Sequence, residues 1–518
     1  MFPILVCLLA FFYLWHQPYH AFTPPVLAPH AVAGLALLIG LHQGPSALAW
    51  AWWGWGLLSL LWSLAPGHTL VASLWELWAL VALAAGRWRL GVLILLALLL
   101  LDGLYTALAL WQAGLVSYVS GSHHYLLGAL ALGALPLFLA RAGRVEAYGV
   151  ASFLLAVLAF YAALISGARA VYLPLLLLLP SALLLLAREA GWRSLLLFLA
   201  LGAGVVLLEG VVPGNALLNA LTYKLALTQA EAQGESPGQG TPAMGNVEAR
   251  LHMWRLALRL ALDHPLGVGN GAYSQVFEAY MDYPGLPGVW SRSPHNHFLE
   301  TLATGGWPRF ILLLALLLPS LQGLGRQDWP WSLAVLGLWT PMLFDVSGYY
   351  PGYLALAFLL LGAFPQPAAP RTLGVAGLLA ASLATLYWFW PCQGAACARQ
   401  HLYFPQDTAK AVLQASREEA ARLLAEAQRR YPLSPWPLTL AWEHTQDPEE
   451  RLLLSRELAR RFPNARESFY LLWAQSALGA GKPEEAQRAL REGLRRFPSS
   501  HRLRELLAPQ APGQTRPP

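Results

Sequence analysis

Long apolar runs separated by short polar breaks dominate the first four hundred residues. Runs that approach the ~20 residues a spanning helix needs occur near 4–16, 26–42, 47–64, 69–86, 89–112, 125–140, 146–165, 170–187, 194–212, 307–324, 331–347, 351–364 and 372–391. They predict an all-α polytopic bundle of about 13 spans. One polar stretch, roughly 213–306, is too long to be a connection. Its part 229–245 is rich in Gly, Pro, Gln and Glu and reads as a mobile tether. Residues 246–262 read as an amphipathic helix with Val247, Leu251, Trp254, Leu258 and Leu262 on one stripe, and Arg250 near its edge.

After about 400 the pattern changes to charged, helix-favouring sequence. Tyr431-Pro432, Phe462-Pro463 and Phe497-Pro498 recur at near-constant spacing. The unit from Glu467 to Pro498 has the small and large apolar positions of a helix-turn-helix repeat around Gly481-Lys482-Pro483. The segment 400–508 therefore resembles a tetratricopeptide array, with a self-packed amphipathic bundle as the alternative. The chain thus divides into a membrane part over 1–395, the repeat region over 400–508 and a Pro-rich, disordered tail over 509–518.

Composition sharpens this picture. The chain is 56% hydrophobic and 12% charged, about half the charge of an ordinary soluble protein. Its net charge of +6 is spread over loops and the C-terminal region, which points to no nucleic-acid partner. The first run lacks a basic leader and a cleavage site and is expected to be a retained span. Arginine sets orientation. Short loops holding Arg87 and Arg89, Arg141 and Arg144, Arg188 and Arg193, Arg326, and Arg371 alternate with loops free of positive charge. The positive-inside rule places those loops and the N-terminus in the cytoplasm. Arg169, the 213–306 loop and the C-terminal region then share the outer face. There Cys392 and Cys397 are expected to pair, whereas in a cytosol they would be free thiols.

Candidate chemistry is sparse. There is no P-loop, nucleophile elbow or zinc-binding helix, and the stretch Gly267-Val268-Gly269-Asn270-Gly271 lacks the strand a dinucleotide loop requires. His123/His124 and His295/His297 have no carboxylate or thiolate cluster to complete a metal shell, so no metal and no cofactor are expected. What remains is Arg169, Arg250 and a histidine on one membrane face. Two guanidiniums suit a diphosphate leaving group, because each offers planar, permanently charged donors. A neutral imidazole suits proton removal from a hydroxyl. Ser166, Gly167 and Ala170 are expected to keep the backbone beside Arg169 open to a ligand; the alternative is an arginine that merely snorkels to the interface.

Three stretches carry a resemblance: Ser166-Gly167-Ala168-Arg169-Ala170; Arg250 with Trp254 and His264-Pro265-Leu266-Gly267-Val268-Gly269; and His295-Asn296-His297-Phe298-Leu299. Together they resemble the signatures of the O-antigen ligase and polymerase superfamily, which includes bacterial O-oligosaccharyltransferases with tetratricopeptide-like C-termini. The resemblance covers roughly 120–365. It implies a GT-C-like, metal-independent glycosyltransferase of the bacterial inner membrane. The donor would be an undecaprenyl-diphosphate-linked glycan, and the hydroxyl acceptor a glycolipid, a protein or the growing glycan. His295 matches the residue that acts on the acceptor, and Arg169 and Arg250 those that hold the diphosphate. Asn296 is expected at the substrate and Asp345 as a helper that orients the histidine. Where relatives often carry Glu and Gly, this chain has Thr304 and Arg309, and Glu300 is a conceivable substitute one turn earlier. Membrane lipids, and proteins bound through the repeats, are the other expected partners. The rival classes are a lipid-linked glycan transporter, which would place charges at the bilayer midplane, and a membrane-anchored scaffold.

Overall fold

A computed structural model describes residues 46–112, 122–143, 148–166, 168–212, 215–220, 222, 246–282, 293–344, 351–367 and 390–507, with scattered positions between 369 and 388. The expected spans at 4–16 and 26–42, nearly half of the positions in 372–391, the tether, Asp345, Gly167 and the tail lie outside the described residues, as do the side chains of His123, His124 and Arg169. Among the described residues the fold is helical and has no β-strand. Six helices are long and apolar enough to cross a membrane, and Ala47–Leu61, Gly149–Ile165 and Gly352–Leu361 are shorter apolar helices.

In chain order the first part comprises α1 (Ala47–Leu58), α2 (Pro66–Ala85), α3 (Arg89–Gln112), α4 (Ser122–Gly143), α5 (Gly149–Ile165), α6 (Arg169–Ala190), α7 (Arg193–Val211), α8 (Asn246–Asp263), the single turn α9 (Tyr273–Val276), α10 (His297–Gln322), α11 (Trp329–Trp339) and α12 (Pro351–Leu361). The inner helices touch through small residues. A Cβ on Gly86 would lie 1.9 Å from the Leu359 carbonyl oxygen, and one on Gly362 equally close to that of Leu83. Glycine thus lets α2 and α12 meet backbone to backbone, as membrane helices do in the absence of a hydrophobic drive between them. By contrast α7 leaves Leu195, Leu196, Leu199, Val206 and Leu207 exposed, which suits a lipid-facing position.

The ends of the helices sort onto two faces. Arg89 opens α3 and bonds Asp328 just before α11 at 2.7 Å. Glu189 closes α6 and accepts from the Trp329 indole at 2.7 Å. The start of α2, the start of α6 and the start of α10 lie at the other end. α10, 26 residues with a break at Gly306, runs from the turn of His295 to the segment before Asp328, so His295 and the Arg89–Asp328 pair lie at its opposite ends.

The C-terminal region adds α13 (Gly394–Gln400), α14 (Pro405–Gln414), α15 (Arg417–Arg430), α16 (Trp436–His444), α17 (Pro448–Arg461), α18 (Ser468–Gly479), α19 (Pro483–Arg496) and α20 (His501–Leu507). From α14 onward each helix packs on the next. Tyr431, Phe462 and Phe497, the aromatic halves of the recurring dipeptides, close α15, α17 and α19 and are buried. Cys392 and Cys397 are joined by a disulfide. This region sits on the His295 face. The Phe404 ring stacks on His68 at 4.6 Å, Ser434 Oγ bonds Gln275 Oε1 at 3.2 Å, and Asn464 Nδ2 donates to the Met281 carbonyl at 2.8 Å. Arg466 forms an ion pair with the buried Glu278.

Candidate active site

The site is built from the turn before α10. Ser293 Oγ accepts from the His295 backbone N–H at 3.0 Å, and His295 itself adopts a left-handed φ of 53°. Such a conformation is uncommon outside glycine and costs on the order of 1–3 kcal/mol, so the surroundings must impose it. Asn296 then caps α10: its Oδ1 accepts from the Leu299 N–H at 3.0 Å. His297 is buried, with its ring 6.3 Å from that of Trp339.

Arg250, from α8, is brought to His295. Burial first, and the Arg250 guanidinium second, pull the His295 imidazole from its ordinary 6.5 down to about 4. It is therefore neutral at physiological pH, as a proton acceptor must be. Arg250 Nε is itself buried with no hydrogen-bond partner among the described residues. Uncompensated burial of a charged donor is costly, so the pairing of Arg250 and His295 leaves a cation suited to an incoming anion. Trp254, one turn on, packs its ring 6.3 Å from Phe344, the last described residue before Asp345. Glu300, also buried, faces Tyr273, whose hydroxyl is pushed up by burial and then by that carboxylate.

Two expectations need correction. The stripe proposed for 246–262 is not the buried face of α8: Leu251, Leu258 and Leu262 are exposed, whereas Ala257, Leu260 and Ala261 are buried. The small residues of the true face allow α8 to lie close against α10, and apolar exposure on a membrane protein is no guide to the core. The backbone beside Arg169 is not open either. Ser166, Ala168 and Ala170 are buried, and a Cβ on Gly128 of α4 would meet Ser166 Oγ at 2.7 Å. Ser166 Oγ donates to the Ala163 carbonyl at 2.7 Å, so the small residues serve helix contact. Arg169 starts α6 on the His295 face.

A second constellation escaped the sequence reading. The loop Gly267–Gly271 is not a phosphate loop; it enters the bundle and docks on α10 where that helix breaks at Gly306, φ 70°. Val268 N–H donates to the Ala303 carbonyl at 3.1 Å and Gly269 N–H to that of Thr304 at 3.0 Å. The Trp62 and Trp55 indoles donate to the Gly267 and Gly305 carbonyls at 3.1 and 2.7 Å. Gly267, at φ 86°, lies so near the Thr304 carbonyl that a Cβ would come within 2.2 Å of its oxygen. Irregular backbone at this depth survives because protein donors and acceptors satisfy it.

At the loop's tip Asn270 joins a buried ion pair. Arg309 of α10, 1% exposed, bonds Glu76 of α2 at 2.5 Å and also the Asn270 side-chain oxygen. Asn270 Nδ2 donates to Glu76 at 2.7 Å and lies 3.1 Å from Ser73 Oγ. The Trp52 ring lies 4.3 Å from the guanidinium carbon. The available signal was Glu76, the one acid of an otherwise apolar span, which is a functional hypothesis by default.

With this geometry established, residues 154–314 match the family model described as O-antigen ligase. The matched stretch runs from α5 into α10 and contains Arg169, Arg250 and His295. No curated protein and no solved structure matches the chain.

Proposed function

From the assignment of residues 154–314 to the O-antigen ligase superfamily, a membrane glycosyltransferase class of the ligase and polymerase type, we propose that the chain transfers a glycan from an undecaprenyl-diphosphate-linked donor to a hydroxyl acceptor on the outer face of the bacterial inner membrane. The observation that carries this is the meeting of Arg250 with a neutral, half-buried His295. In the proposed step His295 accepts the proton of the acceptor hydroxyl and the oxygen attacks the anomeric carbon. The bond from that carbon to the diphosphate breaks, and the electron pair leaves on the polyprenyl diphosphate. Arg250 and Arg169 hold the departing oxygens by forked, charge-assisted hydrogen bonds. Entry of the diphosphate also neutralises the cation that depresses the imidazole, so the base strengthens when the donor is bound. Asp345, after Phe344, is assigned to orient the histidine. No metal or cofactor enters the scheme. The region 400–508 is assigned as a tetratricopeptide-like array that recruits or orients the acceptor.

A transporter would draw support from the buried Glu76–Arg309 pair. Those charges are already bonded to each other and to Asn270, which favours a structural role. The deciding experiment is deletion of the gene, followed by analysis of surface polysaccharide and glycoproteins. Accumulation of full-length, unattached lipid-linked glycan supports ligation, single-unit glycans support polymerisation, and loss of protein glycosylation alone supports a protein-directed transferase. Unchanged glycans on every acceptor would overturn the reading.

A further inference from the structure

On the face opposite His295, the start of α3, the end of α4 and the segment leading into α11 enclose a cavity of about 210 Å³, several times the roughly 30 Å³ a water molecule occupies in the liquid. Its wall is amphipathic. Arg89, Arg141, Gln327 and the Trp331 ring line it together with Leu93 and Leu137. Arg89 is held in place: it bonds Asp328 at 2.7 Å and the Ala363 carbonyl at 2.9 Å, and its guanidinium carbon lies 5.1 Å from the Trp331 ring centre. Those two bonds use two of the five N–H donors a guanidinium carries. Arg141 reaches the cavity from the last turn of α4.

The surroundings reinforce the charge. Arg326 sits in the segment that contributes Gln327, and Arg87 in the turn before α3; the acids nearby are Asp328, bonded to Arg89, and Glu189, bonded to the Trp329 indole. Basic pockets between membrane helices at the interface select acidic headgroups, and paired guanidiniums match the oxygens of a phosphate. Leu93 and Leu137 belong to helices of the membrane part, where acyl chains would run. A soluble anion would gain nothing from them.

We propose that this cavity binds the phosphate of an anionic glycerophospholipid, with Arg89 and Arg141 on the phosphate oxygens and Leu93 and Leu137 against the adjoining chains. The proposal is independent of the transfer reaction. Native mass spectrometry of the full chain in detergent, titrated with phosphatidylglycerol, phosphatidylcholine or inorganic phosphate, tests it. Arg141→Gln is the chosen variant, because it removes one guanidinium of the lining and leaves the Arg89–Asp328 bond in place. Phosphatidylglycerol should be retained on the parent, and the variant should bind it about tenfold or more weakly, the scale of a lost charged hydrogen bond. If Arg141→Gln does not give a monodisperse protein, Arg141→Lys, which keeps the charge and loses the fork, should show an intermediate affinity. Equal retention of phosphatidylcholine, or unchanged phosphatidylglycerol binding in both variants, overturns the site. Displacement of the lipid by millimolar inorganic phosphate overturns the lipid assignment in favour of a soluble anion.

Discussion

Replacing Arg250 by Gln should move the titration of His295 upward, because the substitution removes a cation that disfavours imidazolium while leaving burial in place. Together the two causes lower the group from 6.5 to about 4, equivalent to about 3 kcal/mol. Burial is the larger, so the guanidinium carries less than half, and its removal should raise the value by about one unit or less. The variant's imidazole then stays below 6.5. The rate on free enzyme and donor, kcat/KM, reports the unliganded group. In the parent its acid limb should fall as pH drops through about 4, and in Arg250→Gln the fall should begin at higher pH, on a lower plateau. The limb in kcat should already lie higher in the parent, because bound diphosphate offsets the guanidinium. Enzyme reconstituted in nanodiscs with lipid-linked donor, assayed from about pH 3 to 9, supplies both profiles, and NMR of labelled histidine gives the titration directly. An unchanged or lowered His295 titration in Arg250→Gln would refute the electrostatic coupling.

His295→Ala should cost about 10²–10⁴ in transfer rate while the protein still inserts; near-normal turnover would remove His295 as the base. Arg169→Lys and Arg250→Lys should both be severely impaired although charge is kept, since an ammonium lacks the planar fork, and full activity in both would end the diphosphate-clamp role. Arg309→Met and Glu76→Leu should each destabilise the solubilised protein by about 3–5 kcal/mol, with the double variant recovering part of the loss; thermal unfolding that leaves the single variants unshifted would contradict a buried pair. A cysteine replacing Ala480 should react with an impermeant thiol reagent in intact spheroplasts and one replacing Gly143 should not, the reverse pattern placing the site in the cytosol.

The helices and the meeting of Arg250 with His295 were legible in the chain because apolar runs must become helices in a bilayer and because polar residues interrupting them are few. Each run expected from 47 to 364 contains a helix, but only six of these are long and apolar enough to cross a membrane; the helix in 331–347 ends at Trp339, and that expected at 307–324 begins ten residues earlier, at His297, since Asn296 supplies the cap. What stayed hidden depends on pairing across the fold. Glu76 and Arg309 are 233 residues apart, and neither has its partner nearby in sequence. The glycines of 267–271 read as an incomplete nucleotide motif, because a loop that enters a bundle and one that cradles phosphate both need backbone without side chains. The apolar stripe of α8 misled for a related reason: leucine is as much at home against lipid as in a core.

The clasp between Arg466 and Glu278 has a consequence for the order in which the enzyme comes into being. Residues 273–282 precede the turn that holds His295, yet their anchors at Ser434, Asn464 and Arg466 leave the ribosome more than a hundred residues later. A nascent chain therefore holds Arg250 and His295 before the residues that brace the segment between them have been made.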